Sequence, residues 1–427
     1  MELHPEGETS GFKKRGLTAL LVAQFMGAAN DNILKALLGF AVIKGGMWAG
    51  LLGEGGQGLI ALCLFVPFVV FSGWAGPIAD KFSKRSISVW MKWIELPLAV
   101  IAGLGFAIEN FWVAGSAMFL LATQSTFFSP AKYGMIPEIV PHDKVARANG
   151  VLNMTTNVSV ITGMLVAGFL SDHIKNSTNT LDQWMPGIFL TVVACIGVTA
   201  IVWLPKLSKI NPRTIIPVNP FATYISTGRT MCRGVLMHVA IAWALFYLLA
   251  TIVLLLVNEL GPLLQVTDVK VSYLLASIGV SVGIGSLCAG FISKGNVRLS
   301  VSKYAAVGMS TSVFFLGLAT VSYVNFLLGL IALGFTAGLY AIPLQTLMQT
   351  LPSPGERGQV LATSNSISFL GMAVGSLLFW VCRPLFGESP QGIFLVCGAL
   401  GLVALAVVIS IRLPSESNDT MTHVCKR

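Results

Sequence analysis

A short polar segment inside an apolar stretch is the part of this chain that could do chemistry. Asn30-Asp31-Asn32-Ile33-Leu34-Lys35 interrupts an apolar run that extends from about Leu17 to Ile43. Asp31 and Lys35 are four residues apart, so on a helix they share one face. In a bilayer core each charge costs roughly 2.5–3.5 kcal/mol on insertion scales, and such groups normally face a bundle interior or a wet cavity. The segment predicts either a substrate or ion site, supported by the nearby Gln24, or an ion pair that locks the bundle.

The composition places this segment in a membrane. The chain has 427 residues, of which 55% are hydrophobic and 11% charged, whereas a soluble domain carries about 25% charged residues. The first apolar run is too long for a signal-peptide core, so we expect it to be retained as a first span. The net charge of +9 comes mostly from short loops between apolar runs, where it reports topology and does not indicate a nucleic-acid partner.

Motifs for catalysis or for a cofactor are missing from the sequence. The seven cysteines are scattered without a Cys-x-x-Cys pair, and the five histidines are isolated. No G-x-x-x-x-G-K-[ST] phosphate loop occurs, so the chain has no ATP motor of its own. We therefore expect neither an enzyme nor a metal or other cofactor.

Apolar runs of about 17 residues or more predict transmembrane helices. The longest break between the runs, 205–233, is basic and divides them into six plus six. This predicts an N-terminal bundle (1–204), a cytoplasmic basic linker (205–233) and a C-terminal bundle (234–427). The twelve predicted spans are 17–43, 57–79, 87–108, 111–131, 145–171, 185–204, 234–258, 271–292, 304–322, 324–348, 358–382 and 391–411.

Lysine and arginine are distributed unevenly over the loops. The two termini and the even-numbered connections contain 20 of them, whereas the odd-numbered connections contain four, Lys44, Lys175, Lys270 and Arg383. Basic residues accumulate in cytoplasmic loops. The bias predicts that both termini lie in the cytoplasm.

The two halves of the chain share a local pattern. Thr155-Thr156-Asn157 followed by Gly163-Met164-Leu165-Val166-Ala167 matches Thr363-Ser364-Asn365 followed by Gly371-Met372-Ala373-Val374-Gly375, at a constant offset of 208. Duplicated six-helix halves of the same orientation resemble the major facilitator superfamily. We expect an all-α polytopic membrane protein, with twelve transmembrane helices in two six-helix pseudo-symmetric bundles, the major facilitator fold.

A loop motif between spans 2 and 3 strengthens this resemblance. Gly76-Pro77-Ile78-Ala79-Asp80-Lys81-Phe82-Ser83-Lys84-Arg85 is similar to the superfamily pattern G-x-x-x-D-[RK]-x-G-[RK]-[RK], with Ser83 in place of the second glycine. Gly76 would permit close helix packing, and Asp80 could meet a helix N-terminus or an arginine. The resemblance implies that the loop latches the cytoplasmic side. The candidate gating residues are Gly76, Asp80, Lys81, Lys84, Arg85 and Arg147, the expected partner of Asp80.

A second cluster, Ser129-Pro130-Ala131-Lys132-Tyr133-Gly134, lies at the predicted end of span 4. Proline loosens a helix and glycine permits a turn there, so Lys132 is expected near the membrane boundary. It is either a lysine that snorkels to the interface or part of a site for an anionic or zwitterionic headgroup.

Together the segments Ala23–Asn32, Ser129–Gly134 and Ala148-Asn149-Gly150 resemble the lysophospholipid transporter family, a bacterial branch of the superfamily. The resemblance implies import of lysophospholipid, especially lysophosphatidylethanolamine, from the outer to the inner leaflet of the bacterial inner membrane for reacylation. It implies headgroup contacts by Asp31 and Asn32 and a phosphate contact by Lys132. Some relatives carry fused acyltransferase and ligase domains; none is present here, so a separate enzyme is expected to reacylate the lipid. Compared members have an arginine in span 7, which is absent here, and Lys35 would supply that cation.

The ionisable residues within the spans all fall in the first half. A cavity between the two halves would then be polar on the N-terminal side and apolar on the C-terminal side. Such a cavity would hold a polar head on one side and an acyl chain on the other. Asn157 and Asn365 either form hydrogen bonds between helices or line the cavity. The candidate substrate-binding residues are Gln24, Asn30, Asp31, Asn32, Lys35, Lys132, Tyr133, Asn157, Gln345 and Asn365.

Three functions are compatible with these features. The favoured one is a monomeric secondary transporter that flips lysophospholipid by alternating access, with membrane lipids around it. The alternative is a proton-coupled transporter of a soluble amphiphile such as a drug or metabolite, with Asp31 as proton carrier and Lys35 tuning its proton affinity. A receptor or assembly subunit without turnover is a third possibility, but such a protein has no need of the latch around Asp80.

Overall fold

The protein is a bundle of long helices whose positions follow the apolar runs. The computed structural model describes residues 6–140, 145–177, 179–205, 216–231, 235–293, 298–351, 357–387 and 391–411. The helices in this part of the chain are α1 (Glu6–Val42), α2 (Gln57–Lys81), α3 (Lys84–Ala107), α4 (Phe111–Ile139), α5 (Val145–Asn176), α6 (Met185–Val202), α7 (Ala222–Met231), α8 (Val235–Asn258), α9 (Leu260–Leu264), α10 (Asp268–Ser293), α11 (Leu299–Leu318), α12 (Tyr323–Thr350), α13 (Arg357–Cys382) and α14 (Gln391–Ser410). Two short 3₁₀ helices, Thr180–Trp184 and Arg383–Phe386, complete them.

Each predicted span coincides with one long helix. Within the described residues, eleven helices are long and apolar enough to cross a membrane. α1 is equally long, but the polar segment Asn30–Asn32 and Lys35 lower its mean hydropathy, and α1 packs against α4, α5 and α6 as a member of the bundle. The short helices α7 and α9 and the 3₁₀ helices were not predicted, because they carry no apolar run of spanning length.

The predicted end of span 4 at residue 131 is wrong, because α4 continues to Ile139. Its added turns remain helical since Met135, Ile136 and Ile139 are buried in the N-terminal half. Gly134 does not form the expected turn; it permits close packing between α4 and a side chain of α3. A Cβ atom there would lie 2.5 Å from Cε of Lys84, and the open path lets Lys84 reach Glu138 in a 2.6 Å ion pair.

The bundle has two halves, α1–α6 and α8–α14, with α7 in the connection. Across the halves, α2 packs against α13 and α5 packs against α10. Close approach within the C-terminal half depends on glycines: Cβ atoms at Gly371 and Gly375 would collide with carbonyl oxygens of α8, and one at Gly338 with α10. Gly283 has no such role here, because a Cβ atom there would meet open space.

We call the end that carries the even-numbered, Lys/Arg-rich connections the basic end, and the opposite one the far end. At the far end α5 is tied to α10 by hydrogen bonds. The Asp172 carboxylate accepts from the backbone N–H groups of Asp268 (2.8 Å) and Val269 (3.0 Å), so it caps α10 from the other half. Asp268 in turn accepts from Ser171 and from Lys175, both at 2.6 Å.

A second tie at the far end joins α2 to α13. Gly55 has a φ of +80°, and a Cβ atom there would lie 2.8 Å from Cβ of Arg383, so only glycine fits this approach. Arg383 bonds Glu259 (2.5 Å) in its own half and Glu54 (3.4 Å) in the other. Burial raises the pKa of Glu259, and the hydrogen bond and charge of Arg383 counter that rise.

The helix faces that join the two halves become exposed nearer the basic end. Ile161 and Gly168 of α5 contact α10. Asn157 lies on the same face of α5, nearer the basic end, and its side chain is exposed. Asn365 continues the stripe of Phe369, which stacks on Phe68 of α2 at 4.1 Å, and it is exposed too. The cleft between the halves therefore opens toward the basic end.

The predicted latch is disengaged at this end. Asp80 is exposed and makes no ion pair or hydrogen bond with a described residue; the side chain of its expected partner Arg147 lies outside the described part. The predicted packing role of Gly76 is wrong, because a Cβ atom there would meet no atom within 4 Å. The close approach is made one turn earlier by Gly73, against the backbone of Pro220 in the linker.

Replacing the far-end cap tests this arrangement. Asp172→Ala removes two hydrogen bonds between the halves, and a helix cap is worth about 0.5–2 kcal/mol, so the closed-to-open ratio of the far end should fall about 2- to 30-fold. The measurement is the rate at which an impermeant maleimide, applied from the far-end side, labels Asn157→Cys in a cysteine-free background.

The matched control is Asp182→Ala, because Asp182 bonds His173 and Ser177 within the N-terminal half only. Equal labelling rates for the two variants would contradict a closing role for Asp172.

Candidate functional site

Gln24 joins three helices at the centre of the N-terminal half. It is 4% exposed. Its amide oxygen accepts from Nζ of Lys132 in α4 at 3.0 Å, and its amide nitrogen donates to Oγ1 of Thr156 in α5 at 3.0 Å. One residue of α1 thereby fixes the position of the Lys132 ammonium.

Asn30 connects the same region to a buried ion pair. Its amide nitrogen donates to Glu95 at 3.3 Å, and Glu95 pairs with Lys92 at 2.6 Å. Both side chains of this pair are at most 2% exposed, so the pair is enclosed within the bundle. α3 begins before residue 87, at Lys84, and Lys92 is enclosed by Gly27 of α1 and Gly197 of α6.

Asp31 and Lys35 do not form the ion pair that their spacing allows. No contact within 4 Å joins them, although both are described and half-buried. Asp31 instead accepts from Oγ of Ser125 in α4 at 2.6 Å, with Glu95, Lys92 and Lys132 within electrostatic range. Both groups consequently keep bonding capacity for a ligand.

Aromatic rings complete the cation side of the site. Lys132 Nζ lies 5.1 Å from the ring of Tyr133 and 5.9 Å from that of Phe128, and Lys92 Nζ lies 5.3 Å from the Phe128 ring. These distances are within the range of cation–π attraction. Lys132 is thus held inside α4 by rings and by Gln24, and the snorkelling alternative at a helix end does not apply.

An aromatic cluster lies in the C-terminal half. In α8, Trp243, Phe246 and Tyr247 lie with ring centroids 5.2–6.0 Å apart, and Tyr340 of α12 extends the cluster. Trp243 donates to Ser368 at 2.8 Å. Trp243, Phe246 and Tyr340 are buried in the core, whereas Tyr247 is half-buried and lies within electrostatic range of Tyr133 in α4.

The other predicted site residues are distributed unequally. Asn32 donates to the backbone carbonyl of Ala28 at 2.8 Å, and its Cβ atom lies against Gly163 of α5. Asn157, Gln345 and Asn365 are exposed, and they make no hydrogen bond to the polar cluster of the N-terminal half. Among the predicted gating residues, Lys84 pairs with Glu138 and Arg85 donates to the carbonyls of Leu204 and Val202, so both act within the N-terminal half.

Sequence reasoning missed Ser125 and Thr156 as members of the site. Ser125 is seven residues before Lys132, a spacing that puts both on one face of α4, and that signal was present. Thr156 belongs to the repeated segment Thr155-Thr156-Asn157, but the repeat does not identify its partner Gln24, because a threonine in an apolar helix usually bonds its own backbone.

A comparison with protein families agrees with this two-halved bundle. The sequence model of the Major Facilitator Superfamily matches residues 18–376, which is most of the chain. The chain belongs to the major facilitator superfamily.

Within this superfamily, characterised bacterial relatives cover most of the chain. The lysophospholipid transporter LplT of Photorhabdus laumondii is 26% identical over 344 residues, or 78% of this chain and 80% of the relative. LplT of Klebsiella pneumoniae is 26% identical over 415 residues, or 92% of this chain and 95% of the relative.

Solved structures show the same fold. A D-xylose–proton symporter superposes with a TM-score of 0.68 at 14% identity over 93% of this chain and 98% of that one. The xylose transporter XylE of E. coli in an inward-open conformation gives 0.62 at 13% identity, covering 96% and 97% of the two chains. At these identities the likeness concerns the fold alone.

The packing around Lys92 yields a test of the buried network. A Cβ atom on Gly27 would lie 2.2 Å from Lys92 Nζ, so Gly27→Ala must shift the ammonium within its buried pair with Glu95. Weakening a buried ion pair should lower the free energy of unfolding, by up to about 3 kcal/mol for a broken pair, seen as a lower thermal midpoint in detergent. Gly283→Ala is the control, since its Cβ atom would meet open space; an equal loss in both variants would argue against a strained Lys92 site.

Proposed function

We propose that this protein is a secondary transporter that moves lysophospholipid, specifically lysophosphatidylethanolamine, from the outer to the inner leaflet of a bacterial inner membrane. The observation that carries the proposal is the asymmetry between the two halves. Among the described residues, the centre of the N-terminal half holds charges that are unpaired or bonded once, and the C-terminal half holds an aromatic cluster with Tyr247 half-buried at its edge. A lysolipid has the same division, with a zwitterionic head and one apolar tail.

Each part of the headgroup has a matching group in the site. The Lys132 ammonium keeps donors beyond its bond to Gln24, and Lys35 is unpaired among described residues, so these two cations suit the phosphate. Among the described residues, the Asp31 carboxylate has Ser125 as its one hydrogen-bond donor, so it suits the ethanolamine ammonium. The aromatic side chains of α8 would lie along the acyl chain.

Alternating access supplies the movement. The bundle is tied at the far end and open at the basic end, which we assign to the cytoplasm from the loop charges. This state would release lipid inward. In the opposite state Asp80 would find its partner, with Arg147 as the proposed one, and Asp172 and Arg383 would release theirs.

The proposal also assigns the surroundings of the transporter. It works as a monomer with both termini in the cytoplasm, it performs no chemical step on the lipid, and it binds no nucleic acid. A separate acyltransferase or ligase would reacylate the imported lipid.

Transport of labelled lysophosphatidylethanolamine into proteoliposomes tests the proposal. Native protein should move the lipid inward, and Asp31→Asn should reduce the rate by at least about tenfold, because one hydrogen bond to a charged group is worth roughly 1.5–3 kcal/mol. Asp182→Asn is the control carboxylate. Absence of movement by folded native protein would reject this substrate.

A proton-coupled transporter of a soluble amphiphile is the second candidate. It is favoured by the bonding of Asp31, a carboxylate near the bundle centre without an ion pair within 4 Å, which suits a group that gains and loses a proton.

The two candidates differ in their dependence on a proton gradient. If Asp31 only holds the headgroup, collapsing the gradient with an ionophore should leave the initial rate of lysolipid movement within about twofold. If the rate of native protein instead falls as the proton gradient is collapsed, and the rate of Asp31→Asn does not change with the gradient, the proton-coupled mechanism would be established.

A further inference from the structure

A second polar cavity lies at the far end of the bundle, away from the central site. Its volume is about 700 Å³. The end of α1, the 43–57 segment, the start of α9 and the 3₁₀ helix after α13 enclose it, so both halves contribute walls. No residue of the central site takes part in it.

The charges of this cavity are balanced. Lys44 and Arg383 line it together with Glu54 and Glu259, so its formal charge is zero. Arg383 donates through Nε to Glu259 and through Nη1 to Glu54 and the Gly387 carbonyl. Its Nη2 has no partner among the residues that the structure describes, and Lys44 is exposed without an ion pair in that same part of the chain.

One residue that lines the cavity has buried polar atoms without partners. Gln57 is 2% exposed, yet neither its amide nitrogen nor its amide oxygen has a hydrogen-bond partner among the described residues. The amide oxygen of Asn258, the last residue of α8, is also buried without one in that part of the chain, and both side chains lie beside Gly39 of α1. Leaving such groups unpaired costs about 1–3 kcal/mol each, so the arrangement is that of a site whose polar occupant is external to the chain.

An apolar groove adjoins the cavity. Its volume is about 320 Å³, and it is lined by side chains of α1, α2, α4 and the 43–57 segment, including Leu38, Cys63, Val66 and Met118. Leu38 and the cavity residue Val42 are one turn apart on α1, or about 6 Å. Leu52 lines the groove and the next residue, Gly53, lines the cavity.

We propose that the cavity and the groove form a docking site for one lysophospholipid molecule before it reaches the central cleft. Arg383 Nη2 and Lys44 bind the phosphate, Glu54 receives the ammonium, and the Gln57 amide bonds the headgroup oxygens. The acyl chain lies in the groove. This inference rests on the proposed function, because it supplies that transporter with its substrate-loading site.

The relative depth of the two compartments agrees with a lipid from the outer leaflet. The cavity lies at the far end, among loop residues. The groove begins there, at Leu59 and Phe111, and continues toward the bilayer centre at Val66 and Phe119, two turns along α2 and α4. A headgroup at the surface and a chain pointing inward is the orientation of an outer-leaflet lipid when the far end faces outward.

The site is also joined to the far-end closure. Glu54 is the N-terminal-half partner of Arg383. A headgroup whose phosphate binds Arg383 and whose ammonium binds Glu54 would replace the Arg383–Glu54 ion pair between the halves. Binding would therefore favour opening of the far end, in proportion to the difference in affinity between the two states.

Photolabelling tests the site apart from transport. A lysophosphatidylethanolamine with a diazirine in its acyl chain is added to the native protein and to Asp31→Asn, irradiated, and mapped by peptide mass spectrometry. Label is expected in 57–66 and 111–119 in both proteins, because the site does not use Asp31.

Three variants assign the headgroup contacts. Glu54→Gln should lower labelling about tenfold, the loss expected for one hydrogen bond to a charged group. Gln57→Leu removes unpaired buried atoms, so it should fold with undiminished thermal stability but lose labelling. Lys270→Gln, an exposed lysine at the same end, is the control and should label normally. Unchanged labelling in Gln57→Leu would identify its environment as structural and overturn the headgroup site.

Competitors separate the sources of the ligand chemistry. Glycerophosphoethanolamine should reduce labelling more than inorganic phosphate at equal concentration; equal competition would make the cavity a phosphate site and overturn the proposal. No label in the two segments, with transport intact, would overturn the docking site and leave the proposed function. Label without transport would overturn the proposed function and leave a lipid site.

Discussion

The need to keep charged groups satisfied within an apolar bundle organises the N-terminal half. Lys92 and Glu95 are almost fully buried, and a buried pair is stable only when its geometry is good and its remaining hydrogen bonds are made. Asn30 provides one such bond, and glycines at 27 and 197 provide the space for the lysine. The positions of α1, α3 and α6 around this pair then determine where Asp31 and Gln24 project.

The functional groups are attached to this rigid part. Gln24 orients Lys132 and Thr156, and Ser125 orients Asp31, so this polar cluster is preorganised by hydrogen bonds between helices. The described residues of the C-terminal half form no comparable network of charged groups at their centre. They form instead the aromatic cluster of α8 and α12, whose contacts are less directional.

The two ends of the bundle are closed by different chemistry. At the far end, charges and a cross-half helix cap join Asp172 to α10 and Arg383 to Glu54. Such polar contacts lose little when water replaces them, so they can be made and broken during a cycle. Phe68 and Phe369 stack on each other nearer the middle of the bundle. Sliding two stacked rings past each other costs less free energy than separating them. This is the behaviour expected at a hinge between two halves that move relative to each other.

The sequence by itself determined the class of protein, the twelve long helices and the identity of the polar groups in α1 and α4, and it predicted a division into two related halves. These follow from apolar run length, loop charge and repeat, all of which are local properties. It could not determine that Asp31 would bond Ser125 and leave Lys35 unpaired, that α4 would continue past Pro130, or that Gly73 and not Gly76 would make the close approach. It also gave no sign of the cavity around Gln57 and Arg383. Those features depend on which helix faces which, and partners more than 90 residues apart, or about 330 in the case of Glu54 and Arg383, are brought together only by tertiary packing.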